Sequence, residues 1–73
     1  MKKEDIKKGR YYLAKNGEIH KVRWLFDTPE YNSIVEKTII GQAKNIARGF
    51  TTRFSADYFI KEVFKEQYPE YFI

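Results

Sequence analysis

Apolar and polar residues alternate most clearly between positions 10 and 26, where two β-prone runs, Arg10-Tyr11-Tyr12-Leu13-Ala14-Lys15 and Glu18-Ile19-His20-Lys21-Val22-Arg23-Trp24-Leu25-Phe26, flank Asn16-Gly17. Asn-Gly in that setting predicts a hairpin with a two-residue type I′ turn, whose two central residues need positive φ and whose twist matches the strands it joins. Such a loop sets Lys15 opposite Glu18, Leu13 opposite His20, Tyr11 opposite Val22 and Arg10 opposite Arg23. Successive side chains of a strand point to opposite faces. Tyr11, Leu13, His20, Val22, Trp24 and Phe26 are therefore expected on a core face, and Arg10, Tyr12, Ala14, Ile19, Lys21 and Arg23 on an exposed one.

Beyond the hairpin, Asp27-Thr28-Pro29-Glu30-Tyr31-Asn32 reads as a loop, since proline and short polar residues interrupt a ladder. Ile34-Val35-Glu36-Lys37-Thr38-Ile39-Ile40 is rich in β-branched residues and suits a strand. The same stretch also fits a helix: Ser33 to Glu36 make a capping box, and Val35, Ile39, Ala43 and Ile46 recur at helical spacing. Gly41 would cost such a helix about 1 kcal/mol relative to alanine, so strand is preferred over 34–46. Phe50-Thr51-Thr52-Arg53-Phe54 alternates as a short strand with Phe50, Thr52 and Phe54 inward. Ser55 then suits the cap of a helix with Phe59, Ile60, Val63 and Phe64 as its apolar stripe, ended by Pro69.

These elements predict an α+β, mainly β domain: a curled antiparallel sheet of three or four strands with a C-terminal helix. The alternative is a β-hairpin plus two helices, with 34–48 helical. A chain of 73 residues holds one domain, and 42% hydrophobic with 18% aromatic residues is rich enough to fold. Residues 1–8 read as a flexible basic lead-in and 68–73 as an aromatic tail. The absence of cysteine excludes disulfides and thiolate metal sites, and no apolar block suits a signal peptide or membrane span. The cytoplasm is the expected compartment.

The series Lys8-Gly9-Arg10-Tyr11-Tyr12, Asn16-Gly17, Val22 and Gly49 through Phe54-Ser55-Ala56-Asp57-Tyr58-Phe59 resembles small accessory proteins of phages and prophages. The resemblance implies an SH3-like curled sheet closed by a terminal helix. A shorter stretch, Ser33-Ile34-Val35-Glu36-Lys37 with Lys44-Asn45 downstream, resembles a helical segment of an anti-CRISPR protein that blocks a type II CRISPR nuclease. That likeness implies an inhibitor acting by binding a host nucleic-acid enzyme.

Candidate chemistry is sparse. His20 is the single histidine and falls on the expected core face, where it packs rather than acts as a base or ligand. Ser33 and Ser55 sit at caps or turns, Glu62 and Glu66 share a solvated helical face, and the four glycines are isolated, so no phosphate-cradling loop is present. An enzyme is not expected, nor is any cofactor or metal.

Charge changes the picture more. The net charge is +4, but residues 1–25 carry eight Lys and Arg against three acids, and 44–54 add three cations and no acid. An anionic partner fits this imbalance. Arg10, Lys21 and Arg23 surround Tyr12 on the expected exposed face, and Arg53 joins them if Phe54 points inward. The expected function is a small nucleic-acid-binding module in which Arg10, Lys21, Arg23 and Arg53 meet phosphates and Tyr12 stacks on a base. The alternative is a phage-borne accessory protein that binds a host protein through the tail residues Tyr68, Tyr71 and Phe72 or the acidic loop around Asp27 and Glu30. The tail also suits a homodimer.

Overall fold

The computed structural model describes residues 1–64, 66, 67 and 69–71. They form one antiparallel sheet of five strands: β1 (Tyr11–Ala14), β2 (Ile19–Asn32), β3 (Lys37–Asn45), β4 (Thr51–Ser55) and β5 (Phe59–Val63). The order is β4-β3-β2-β1-β5, so four strands meander and the fifth returns to pair with the first. Three 3₁₀ turns, Lys3–Asp5, Ala56–Tyr58 and Pro69–Tyr71, are the helical segments among the described residues. The protein is mainly β.

The first hairpin forms around Asn16-Gly17, but with a three-residue loop. The Ala14 amide donates to the Glu18 carbonyl at 3.0 Å and the Gly17 amide to the Ala14 carbonyl at 2.9 Å. Only Gly17 of the loop takes a positive φ, +82°, which excludes the type I′ turn and fits a turn completed by a left-handed glycine. The added loop residue slips the register by one: Tyr11 faces Lys21, Tyr12 faces His20 and Leu13 faces Ile19. Because side chains alternate with period two, that slip turns β1 over relative to β2. Tyr12 and Ala14, expected outside, are fully buried, and Ile19 is buried as well.

Asp27–Asn32 is strand rather than loop. The Cα atoms of fourteen residues, separated by steps of about 3.3 Å, would make β2 roughly 43 Å from end to end if straight, more than the 36 Å long axis of the described molecule. β2 therefore bends, at two irregularities of its pairing with β3: Arg23 and Trp24 together face Gln42, and residues 26–29 have no partner between Leu25–Gly41 and Glu30–Ile39. Pro29 lies in the second, where a missing N–H breaks no ladder bond. Past it, β2 and β3 run on as a two-stranded arm closed by the turn 33–36, in which the Asn32 Oδ1 accepts from the Ile34 and Val35 amides. The strand preference for 34–46 holds over Lys37–Asn45, and the helical alternative for 34–48 does not.

The helix expected after Ser55 is absent. A 3₁₀ turn at Ala56–Tyr58 leads into β5, which gives β1 a partner on its outer edge and stacks Phe59 on Tyr12 (ring centroids 5.1 Å apart) and on Phe54 (4.7 Å). A lone helix of that length is marginal in water, whereas the strand gains a ladder and buries Phe59 and Val63. Ser55 does not cap a helix; its hydroxyl donates to the Asp57 carboxylate.

The core lies on one face of the curled sheet: Ile6, Tyr12, Ala14, Val22, Ile40, Ala43, Phe54 and Phe59, with Met1, Ala56 and Tyr58 packed against it. The lead-in thus contributes Ile6. It also satisfies the buried phenol, since the Lys7 amide donates to the Tyr12 hydroxyl at 2.7 Å and that hydroxyl donates to the Asp5 carbonyl at 3.3 Å. Burial raises the Tyr12 pKa above its ordinary value.

Candidate nucleic-acid interface

Of the five residues expected at a nucleic-acid site, the register separates two from three. Tyr12 lies in the core and offers no ring to a ligand. Arg10 does not face Arg23; its guanidinium pairs with Glu62 at 3.1 Å. Lys21, Arg23 and Arg53 remain together on the opposite face of the sheet, and sequence reasoning missed what joins them there.

The pairing generates that face row by row. Thr51, Lys44, Lys21, Tyr11 and Val63 are successive partners across all five strands. In the next row Arg53 faces Gln42, and Gln42 faces Trp24, with Arg23 the extra residue of the bulge. Lys21 and Lys44 are thus directly opposed like charges, an unfavourable pair unless an anion or solvent screens it. Both are half-buried, as befits alkyl stems lying along a sheet, and the Lys21 Nζ sits 5.6 Å from the centre of the Tyr11 ring. The Lys8 Nζ lies 4.8 Å above the Trp24 ring, which is 53% exposed. Among the described residues, no carboxylate pairs with Lys8, Lys21, Arg23 or Lys44. Arg53 reaches Glu30 at 3.5 Å, but both partners are exposed, and such pairs contribute about 0–1 kcal/mol. Arg53 is readily given up to a stronger anion.

Two carboxylates elsewhere are fully engaged. Glu18 Oε1 accepts from Asn16, Asn45 and Arg48, each at 3.0 Å, tying the β1–β2 turn to the β3–β4 turn. The Asn45 amide, then Arg48, holds the Glu18 carboxyl below its ordinary pKa. Beside it, buried His20 meets Tyr58 edge-on and donates from Nδ1 to the Glu18 carbonyl at 3.1 Å, and burial lowers its pKa. Its ring packs against Tyr58 and Phe59. The shallow depression of about 410 Å³ between these turns is lined by this hydrogen-bonded group together with Phe50, Thr52 and Tyr58. Asp57, lowered chiefly by the Ser55 hydroxyl and then by Lys37, pairs with Lys37 (3.1 Å) and Lys15 (3.9 Å).

Among the described residues no group of three or more His, Asp or Glu side chains converges as a metal site. Tyr68 and Phe72, expected in a partner-binding tail, lie outside the described residues; Tyr71 ends the last 3₁₀ turn. No family model, curated protein or solved structure matches the chain.

Proposed function

We propose that the chain is a small, non-enzymatic nucleic-acid-binding module with an SH3-like curled sheet, and that its ligand lies across the outer face of β2, β3 and β4. The observation that carries this is the set of cations Lys8, Lys21, Arg23 and Lys44, which pair with no carboxylate among the described residues, with Lys21 directly opposed to Lys44. Phosphates between the opposed lysines turn a repulsion into affinity and release counterions. The SH3-like reading is supported by the meander whose last strand returns to the first after a 3₁₀ turn.

The test is affinity for oligonucleotides against salt. Lys21→Glu with Lys44→Glu is expected to weaken binding strongly and to flatten the log–log salt slope by about 0.7–0.9 for each phosphate no longer neutralised. Lys2→Glu with Lys3→Glu changes net charge equally on the exposed lead-in, away from this face, and is expected to do far less. Equal losses in the two double variants would mean diffuse attraction and no site.

A second reading, the accessory or inhibitor protein, is favoured by the arm. Its tip carries Tyr31, Val35 and Ile34, the last 91% exposed, with Glu30 and Glu36 on the arm and Asp27 in the unpaired stretch before it. An acidic arm with an apolar tip suits a basic partner protein. Binding that resists salt and depends on Ile34, with no nucleic acid bound at low salt, favours this reading over the first.

A further inference from the structure

We propose that Trp24 is a base-stacking platform and that the ligand of the basic face is single-stranded nucleic acid. The inference rests on the reading above and narrows it. Trp24 is the single tryptophan of the chain and lies outside the core formed by the described residues, 53% exposed, although indole is among the side chains that gain most from burial. Its backbone is nonetheless held closely: a Cβ on Gly41 would overlap the Trp24 carbonyl, so β3 is in direct contact with β2 at this point. The bulge then presents an exposed ring from a fixed backbone.

What surrounds the ring is suited to a nucleotide. Arg23 shares the bulge, Gln42 faces it with one amide donor and one acceptor for a base edge, and Arg53 lies next across the sheet. Lys8 covers one side of the ring. Displacing an exposed cation from an indole costs about two- to fivefold in affinity, whereas a stacked base gains roughly 5- to 150-fold. Stacking wins, and the released Lys8 is left beside the phosphate of the same nucleotide. A duplex offers the charge but keeps its base faces stacked on each other, so it leaves Trp24 unused.

The experiment uses the full chain with an oligothymidylate of about 12 nucleotides, a duplex of equal length, inorganic polyphosphate and poly-glutamate. Trp24 emission reports the stack, since no other tryptophan contributes. The single strand is expected to quench it saturably, and the duplex and polyphosphate to bind with little quenching. Trp24→Ala should weaken single-strand binding roughly 5- to 150-fold at an unchanged salt slope, with polyphosphate affinity preserved and Trp24→Phe retaining most of the binding. Tyrosine near-ultraviolet dichroism checks that both variants fold. Single-strand binding without quenching, or an equal loss of polyphosphate affinity in Trp24→Ala, overturns the stacking proposal while leaving the basic face standing. Poly-glutamate binding as tightly as the oligonucleotide, or no polyanion binding at low salt, overturns both.

Discussion

Gly41 shows how one residue sets the geometry of the proposed interface. It sits in β3 where the Trp24 carbonyl comes too close for any side chain, and the neighbouring atoms are backbone, which cannot swing aside. Gly41→Ala is therefore expected to push β2 away at the bulge and to lower stability by about 1–3 kcal/mol, the usual range for overpacking. Urea unfolding measures it. A midpoint equal to that of the wild type would mean that the two strands do not touch as described. The expected cost of Gly41 to a helix was legible in the sequence; its use in a strand was not, because the contact joins residues 17 positions apart.

At the scale of elements, the strands were more legible than their faces. Asn16-Gly17 marked the first hairpin correctly, yet the dipeptide serves both a two-residue turn and a three-residue turn ending in a left-handed glycine, and the two differ by one residue of register. A warning was present: the two-residue version leaves Tyr12, Ala14 and Ile19 all facing solvent, and all three are buried. That slip removed Tyr12 and Arg10 from the candidate site, while Lys21, Arg23 and Arg53 kept their common face. Phe59, Ile60, Val63 and Phe64 misled for another reason. Their spacing fits a helical stripe, but a strand with a bulge at Ile60 uses Phe59 against Tyr12 and leaves Ile60 and Phe64 exposed. No local pattern announces that β1 needs a partner about 50 residues away. The turn yields a direct check on the element: Gly17→Val should cost about 1–2 kcal/mol, because a β-branched residue resists the left-handed region, and Gly17→Asn should cost less. Equal urea midpoints for the two variants would contradict the positive φ.

For the molecule as a whole, the titrating groups define a pH range of greatest stability. The unfolded chain protonates His20 near its ordinary value of 6.5, while burial keeps the folded ring neutral to lower pH, so stability begins to fall as pH drops below 6.5. Glu18 and Asp57, both held below their ordinary values of 4.5 and 3.8, add a further loss at lower pH as protonation breaks their pairing with Arg48 and Lys37. Tyr12 acts at the other end: its pKa is raised, so stability declines as pH rises past 10.0 and the unfolded phenol ionises first. Urea midpoints measured from pH 4 to 11 are expected to plateau between about 6.5 and 10, and His20→Gln should remove the first acid step alone. A wild-type midpoint that rises between pH 6.5 and 5 would contradict the buried neutral imidazole. The strand order carries a different consequence, for self-association. A sheet ordered β4-β3-β2-β1-β5 ends in β4 and β5, and each outer edge is a template onto which another chain can add. Arg53 in β4, Lys61 in β5 and the bulge at Ile60 are the features that discourage such growth. Arg53 thereby guards an edge as well as facing the proposed ligand, so neutralising it risks aggregation that mimics a loss of binding. Lys21 and Lys44, on interior strands, carry no such double duty.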